Sequence, residues 1–127
     1  MMDASEMMNF KNWVVAGDVT NEMKYAGRIY KKLKRRDYNV VGFHPLDENE
    51  EVLNTFAEVT NGETKFEVLN LVVNPERGLQ IVKEAHDYGI RMVLAQPGAR
   101  SEAIREYCKN QGMEYVEGCT LVELSLL

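Results

Sequence analysis

The sequence predicts one α/β domain, with a doubly wound, Rossmann-like parallel sheet and helices on both faces. Three observations predict it. Short apolar runs recur along the chain, stretches of helical period separate them, and glycine, proline or asparagine punctuates the joins. Strand, helix, strand with short connections means parallel strands joined by right-handed crossovers, and the doubly wound arrangement is the default.

The first run, Trp13-Val14-Val15-Ala16-Gly17, is apolar on both faces, as a buried parallel strand requires. Ala26, Ile29, Tyr30 and Leu33 follow at helical spacing, predicting a helix over Ala26–Arg36. Lys34, Arg35 and Arg36 suit the negative end of its dipole. Tyr38–Phe43 reads as the second strand, closed by His44-Pro45. Leu46–Gly62 is acidic and mixed, with a short helix or edge strand expected around Val52–Val59.

Phe66–Val73 is the next strand. Asn74 then supplies an N-cap and Pro75 a first helical residue, and the helix buries Leu79, Val82 and Ala85 before stopping near Gly89. Arg91–Ala95 is a strand, Gln96-Pro97-Gly98-Ala99 a turn and Ser101 an N-cap. Ala103, Ile104, Tyr107 and Cys108 are expected to face inward on the helix after it, with Gly112 beyond its end. Glu114–Val116 is the last short strand. The apolar tail, Leu121 to Leu127, is expected to cover the sheet edge or meet a second copy.

A chain of 127 residues makes one domain, 1–127, and can bury a core without a metal or disulfide staple. Its 45% hydrophobic and 28% charged residues are those of a globular protein, with disorder expected only at the extreme N-terminus. A net charge of -5 excludes a general nucleic-acid binder, which needs a basic face, but leaves room for one bound nucleotide. Two cysteines, Cys108 and Cys119, and two distant histidines, His44 and His86, form no metal motif. Reduced thiols, no signal-like N-terminus and no run of membrane-spanning length predict a soluble cytoplasmic protein with no membrane partner.

Ligands of open α/β sheets bind outside the carboxyl ends of the strands. Here those ends are Gly17-Asp18-Val19-Thr20, His44-Pro45, Asn74-Pro75 and Gln96-Pro97-Gly98-Ala99, which the fold brings together. Gly17 allows close backbone approach, and Lys24 stands where it can reach a phosphate at the start of the following helix. The dinucleotide fingerprint G-x-G-x-x-G is absent from this loop.

Several features have plainer explanations. Lys31, Lys32, Lys34, Arg35 and Arg36 read as a solvated helix face that complements the dipole. His44 reads as a turn residue, His86 as a surface residue, and both cysteines as buried structural thiols. Neither Asp18 with Asp47 nor Glu22 with Glu48 is placed by sequence at catalytic separation, and no nucleophile–base pair is readable.

From Trp13 to Pro45 the order is apolar strand, Gly17-Asp18-Val19, Lys24, helix, apolar strand, His44-Pro45. Ala85-x-x-x-Gly89, Gln96-x-Gly98, Gly112 and Cys119 follow in order. This ordered set, spanning nearly the whole chain, resembles the small bacterial and archaeal CoA-binding proteins, stand-alone relatives of the CoA-binding domain of the succinyl-CoA synthetase α subunit. Asp18-Val19 stands where that family has Ala-Ser, and His44 where it has Asn. The resemblance implies a module holding the ADP part of coenzyme A, or of an acyl-CoA, across the strand ends. Gly17 to Thr20 with Lys24, and Tyr25 and Ala26 at the helix start, would hold phosphate. His44 and Pro45 would lie near the adenosine, and Asn74 with Gln96, Pro97, Gly98 and Ala99 would close the far side.

The leading expectation is therefore a non-catalytic CoA-binding module, acting as carrier, sensor or subunit beside a partner enzyme or a second copy. One alternative is an NAD(P)-type binder or redox sensor, opposed by the missing fingerprint and by His44 where an acid usually holds ribose. Another is a ligand-free interaction protein with a degenerate site, for which Asp18 is the best support. A small hydrolase or synthase on the same fold has no residues to recommend it.

Overall fold

The computed structural model describes residues 2–127. In chain order the elements are α1 (Ala4–Met7), β1 (Asn12–Ala16), α2 (Tyr25–Arg35), β2 (Asn39–Phe43), β3 (Val52–Leu53) and α3 (Phe56–Val59). They continue with β4 (Val68–Leu71), α4 (Pro75–Asp87), β5 (Met92–Ala95), α5 (Glu102–Asn110), β6 (Glu114–Glu117) and α6 (Thr120–Ser125). The six strands form one sheet in the order β3-β2-β1-β4-β5-β6, and every pairing is parallel. From β1 the chain winds outward through β2 to β3. It then crosses to β4 on the other side of β1 and winds the opposite way. The switch point lies between β1 and β4, and it is there that such sheets open a crevice.

Successive strand residues face opposite sides, so each strand feeds two cores. Val14, Ala16, Leu69, Leu71 and Val93 pack under α3, α4 and α5, meeting Phe56, Ile81, Val82, Ala85, Ile104 and Cys108. Trp13, Val15, Val40, Val68 and Leu94 pack on the other face against Met7, Ile29, Leu33 and Leu124, from α1, α2 and α6. Each fully buried Leu, Ile or Phe contributes about 1.5–3 kcal/mol relative to exposure.

Five expectations change. The N-terminal arm from Asp3 onward is ordered: Asp3 and Glu6 form a capping box on α1, and Met7 and Met8 are buried. A long-range bond holds this arm, Tyr38 Oη donating to the Met8 carbonyl at 2.6 Å, and Trp13 Nε1 adds a local one to the Phe10 carbonyl at 2.7 Å. The 52–59 segment supplies both an edge strand and a helix, because Thr55 and Glu58 form a second capping box immediately after β3. On α4 Leu79 is only half-buried, while Gly78 and Ile81 share the inner face with Val82 and Ala85. On α5 Ala103 is exposed, since the Ile104–Cys108 pair sets the buried face and Ala103 sits a residue outside it. The tail becomes α6, whose Leu124 is fully buried against the second core while Val122, Leu126 and Leu127 stay exposed.

Candidate functional site

At the switch point a cleft of about 410 Å³ opens over the carboxyl ends of β1 and β4. Asp18, Lys24, Tyr25 and Ala26 line it from the side of β1, His44 from the end of β2, and Val72, Val73, Asn74 and Arg77 from the end of β4 and the start of α4.

Local chemistry builds each wall. Gly17 is buried beneath the cleft. A Cβ there would lie 2.8 Å from both the Ala26 Cβ and the Val72 carbonyl oxygen, so only glycine lets α2 and the β4 end sit this close. Its service in the structure is helix–strand packing. The loop then folds on itself, with Val19 N donating to the Gly17 carbonyl at 3.0 Å and Lys24 N to the Asn21 carbonyl at 3.0 Å. Val19 is buried over Gly42, where a Cβ would come within 2.4 Å of the valine methyl.

Two helices begin at the cleft. Lys24 is the N-cap of α2 and makes no side-chain capping bond, and the first turn of α2 holds no acid. Asn74 caps α4, its Oδ1 accepting from Arg77 N at 2.9 Å, with Pro75 at the first helical position as the sequence predicts. Helix N-termini carry unsatisfied N–H groups and positive partial charge, so two of them, with Lys24 and Arg77, make an anion-favouring cradle. Within it Lys24 Nζ lies 3.2 Å from Asp18 Oδ2, both side chains substantially exposed.

His44 Nδ1 accepts from Leu46 N at 3.1 Å, and its carbonyl accepts from Asn54 Nδ2 at 2.8 Å, which pins the His44-Pro45 turn. Tyr25 Oη lies 2.9 Å from Cys119 Sγ. That hydrogen bond, and then burial, pushes the phenol above its usual range. Cys119 is half-buried at the cap of α6 instead of fully buried like Cys108.

The predicted set therefore divides. Asp18, Lys24, Tyr25, Ala26, His44 and Asn74 meet in the cleft, with Gly17 packed beneath. Val19 and Thr20 instead line a separate groove of about 530 Å³ between α2 and β3. Pro45 lies in a shallow depression beside the cleft, along with Gln80 and Glu84. Gln96 is fully buried: Nε2 donates to Asn70 Oδ1 at 3.0 Å and to Thr120 Oγ at 2.9 Å, and Oε1 accepts from Thr120 N at 2.9 Å. It ties α6 to the sheet and does not line the cleft. Ala99 is buried, and Pro97 and Gly98 are exposed at a turn where Gly98 has φ of +90°; none of the three lines the cleft.

Val72, Val73 and Arg77 are the cleft residues that sequence reasoning missed, and Arg77 is the charged one. The signal was present, since it stands three residues after the Asn74 cap, in the first turn of a helix starting at a strand end. Among the described residues no cluster of three or more His, Cys, Asp or Glu could hold a metal. No described helix is long and apolar enough to cross a membrane.

Comparison with known proteins agrees with this fold. A conserved hypothetical protein from Pyrococcus furiosus is 34% identical, with a TM-score of 0.79 over 90% of this chain and 99% of that one. A hypothetical protein from Pyrococcus horikoshii superposes with a TM-score of 0.83 at 20% identity, covering 95% of this chain and 86% of that one. One from Thermus thermophilus gives 0.78 at 18% identity over 94% and 92% of the two chains. These last two share the fold. No curated protein matches the chain. Residues 11–125 match the profile of a family described as the CoA binding domain, nearly end to end. The chain belongs to the CoA binding domain family.

Proposed function

We propose that this protein binds coenzyme A or an acyl-CoA, without transforming it, at the carboxyl ends of β1 and β4. The observation that carries the reading is the convergence of two helix N-termini with Lys24 and Arg77 on one cleft at the switch point. A pyrophosphate needs such a set of donors and cations. A non-catalytic role is supported by the cleft's imidazole, since His44 Nδ1 accepts from a backbone N–H and not from a hydroxyl or thiol it could activate. The setting that suits two free cysteines is the reducing cytoplasm, where the module would serve a partner enzyme or act as a homodimer.

One observation favours a second reading, a ligand-free interaction protein: the carboxylate of Asp18 already engages Lys24. Calorimetric titration with CoA, acetyl-CoA, NAD and ADP separates the possibilities. Saturable CoA binding that weakens in Lys24→Ala and Arg77→Ala supports the module. Preference for NAD replaces CoA with a nicotinamide nucleotide. No heat with any of the four, on folded protein, leaves the interaction protein standing.

A further inference from the structure

We infer that the cationic outer face of α2 is a docking surface for a second copy of this chain, which offers it the acidic loop between β2 and β3. The interface does not depend on what the cleft binds. Seven of the chain's 15 Lys and Arg residues fall between Lys24 and Arg36, with no acid among them. The next stretch is the reverse: from Asp37 to Thr64 there are seven acids and no Lys or Arg. A chain with a net charge of -5 thus places a cationic helix directly beside an anionic segment.

Dipole complementation explains only part of this helix. Lys34, Arg35 and Arg36 lie at its negative end, but Arg28 ends the first turn, where a cation opposes the dipole. Arg28, Lys31, Lys32 and Arg35 recur at spacings of three and four, so they share one face, and like charges at that spacing repel. They line a depression of about 340 Å³ together with Leu121 of α6. Glu22 lines it too and engages Lys31 at 2.8 Å.

The rest of the charge is left open. Among the described residues Arg28, Lys32 and Arg35 make no ion pair, and neither does any acid from Asp37 to Thr64. Arg35 and Glu51 line the same groove between α2 and β3, yet do not pair across it. Arg28 and Arg35 are exposed, as are Glu48, Glu50 and Glu51.

Two surfaces of opposite sign that adjoin on one chain are self-complementary. A two-fold axis between them sets each helix against the other copy's loop, so that every contact is made twice. A polyanion approaching the helix would be repelled by the neighbouring acids, whereas a second copy uses those acids as its half of the contact. Leu46, 68% exposed at the start of the loop, and Val122, 52% exposed on α6, add apolar area that charge pairs alone do not supply.

Sedimentation equilibrium tests this on the full chain, with Arg28→Glu/Arg35→Glu altering one surface and Glu48→Lys/Glu50→Lys the other. A thermal melt checks that each variant is folded. Wild type at about 100 µM and low salt is expected to be mainly dimer, and its Kd should rise about tenfold or more at about 0.5 M salt. Each variant alone should be a monomer. Mixed one to one, the variants recreate both contacts with the charges exchanged, and should form a heterodimer within about tenfold of the wild-type Kd. A monomeric wild type overturns the interface and leaves the helix face to an acidic segment of a different protein. Dimerisation that survives in either variant, or variants that fail to associate on mixing, overturns it equally by placing any dimer contact on other surfaces.

Discussion

Lys24 and Asp18 face each other in the cleft, Nζ to Oδ2 at 3.2 Å, where a phosphate would otherwise meet the lysine. Exposed as both are, the pair contributes at most about 1 kcal/mol to stability. Its larger effect is on the ligand, because a carboxylate beside an anion opposes binding. Asp18→Asn is expected to raise CoA affinity about three- to tenfold, and Lys24→Ala to lower it by a similar factor. Titration of both variants checks this. A Asp18→Asn protein with wild-type affinity would mean that the phosphates lie away from this pair.

Gly17 makes a prediction about folding. Its Cβ position is 2.8 Å from the Val72 carbonyl oxygen, a backbone atom that cannot swing away as a side chain can. Gly17→Ala should therefore push α2 off the strand ends and cost about 1–3 kcal/mol. Urea unfolding reads this as a lower midpoint with unchanged slope. A wild-type midpoint would show that the two elements separate at little cost.

How much of this was legible depends on the range of the interactions. Trp13–Ala16 and the core of Phe66–Val73 could be read as strands because parallel strands buried on both faces are continuously apolar. Asn74-Pro75 and Ser101 could be read as helix starts because a cap is a contact over three residues. Gln96 was misplaced because its burial depends on Thr120 and Asn70, both more than twenty residues away. The packing of the N-terminal arm was not legible for a similar reason, since Tyr38 fastens it from 30 residues on. In the site the strand-end rule found the cleft. It could not tell which loop residues turn inward, which sent Thr20 to the groove and Gln96 to the core.

Thr120 holds α6 to the sheet through both roles of its hydroxyl, accepting from Gln96 Nε2 and donating to Asn70 Oδ1. Asn70 Nδ2 has no partner, so this buried network already has one unmet donor. Thr120→Val keeps the shape and removes the hydroxyl, leaving the second N–H of Gln96 Nε2 unmet and Asn70 Oδ1 with one donor fewer, and should cost about 1–3 kcal/mol. Thr120→Ser should retain most of the stability. Equal losses in the two variants by urea unfolding would assign the effect to packing of the methyl group.

Cys108 gives the fold an alkaline limit. The thiol is fully buried between α5 and the sheet, and burial pushes its pKa up to about 11. In the unfolded chain a cysteine ionises near pH 8.5. The folded state therefore favours the protonated thiol, and its contribution is complete below about pH 8.5 and lost as pH rises toward about 11. Across that window stability should fall by up to about 1.4 kcal/mol per pH unit from this group. Tyr115, pushed up to about 12 by burial and then by its hydrogen bond to Glu117, adds a further fall at higher pH. Cys108→Ala should cost about 1–2 kcal/mol at pH 7 and flatten the curve between about pH 9 and 10.5, leaving the tyrosine limb. Urea midpoints at intervals across this range decide the matter. A Cys108→Ala slope equal to wild type would place the alkaline loss on other groups.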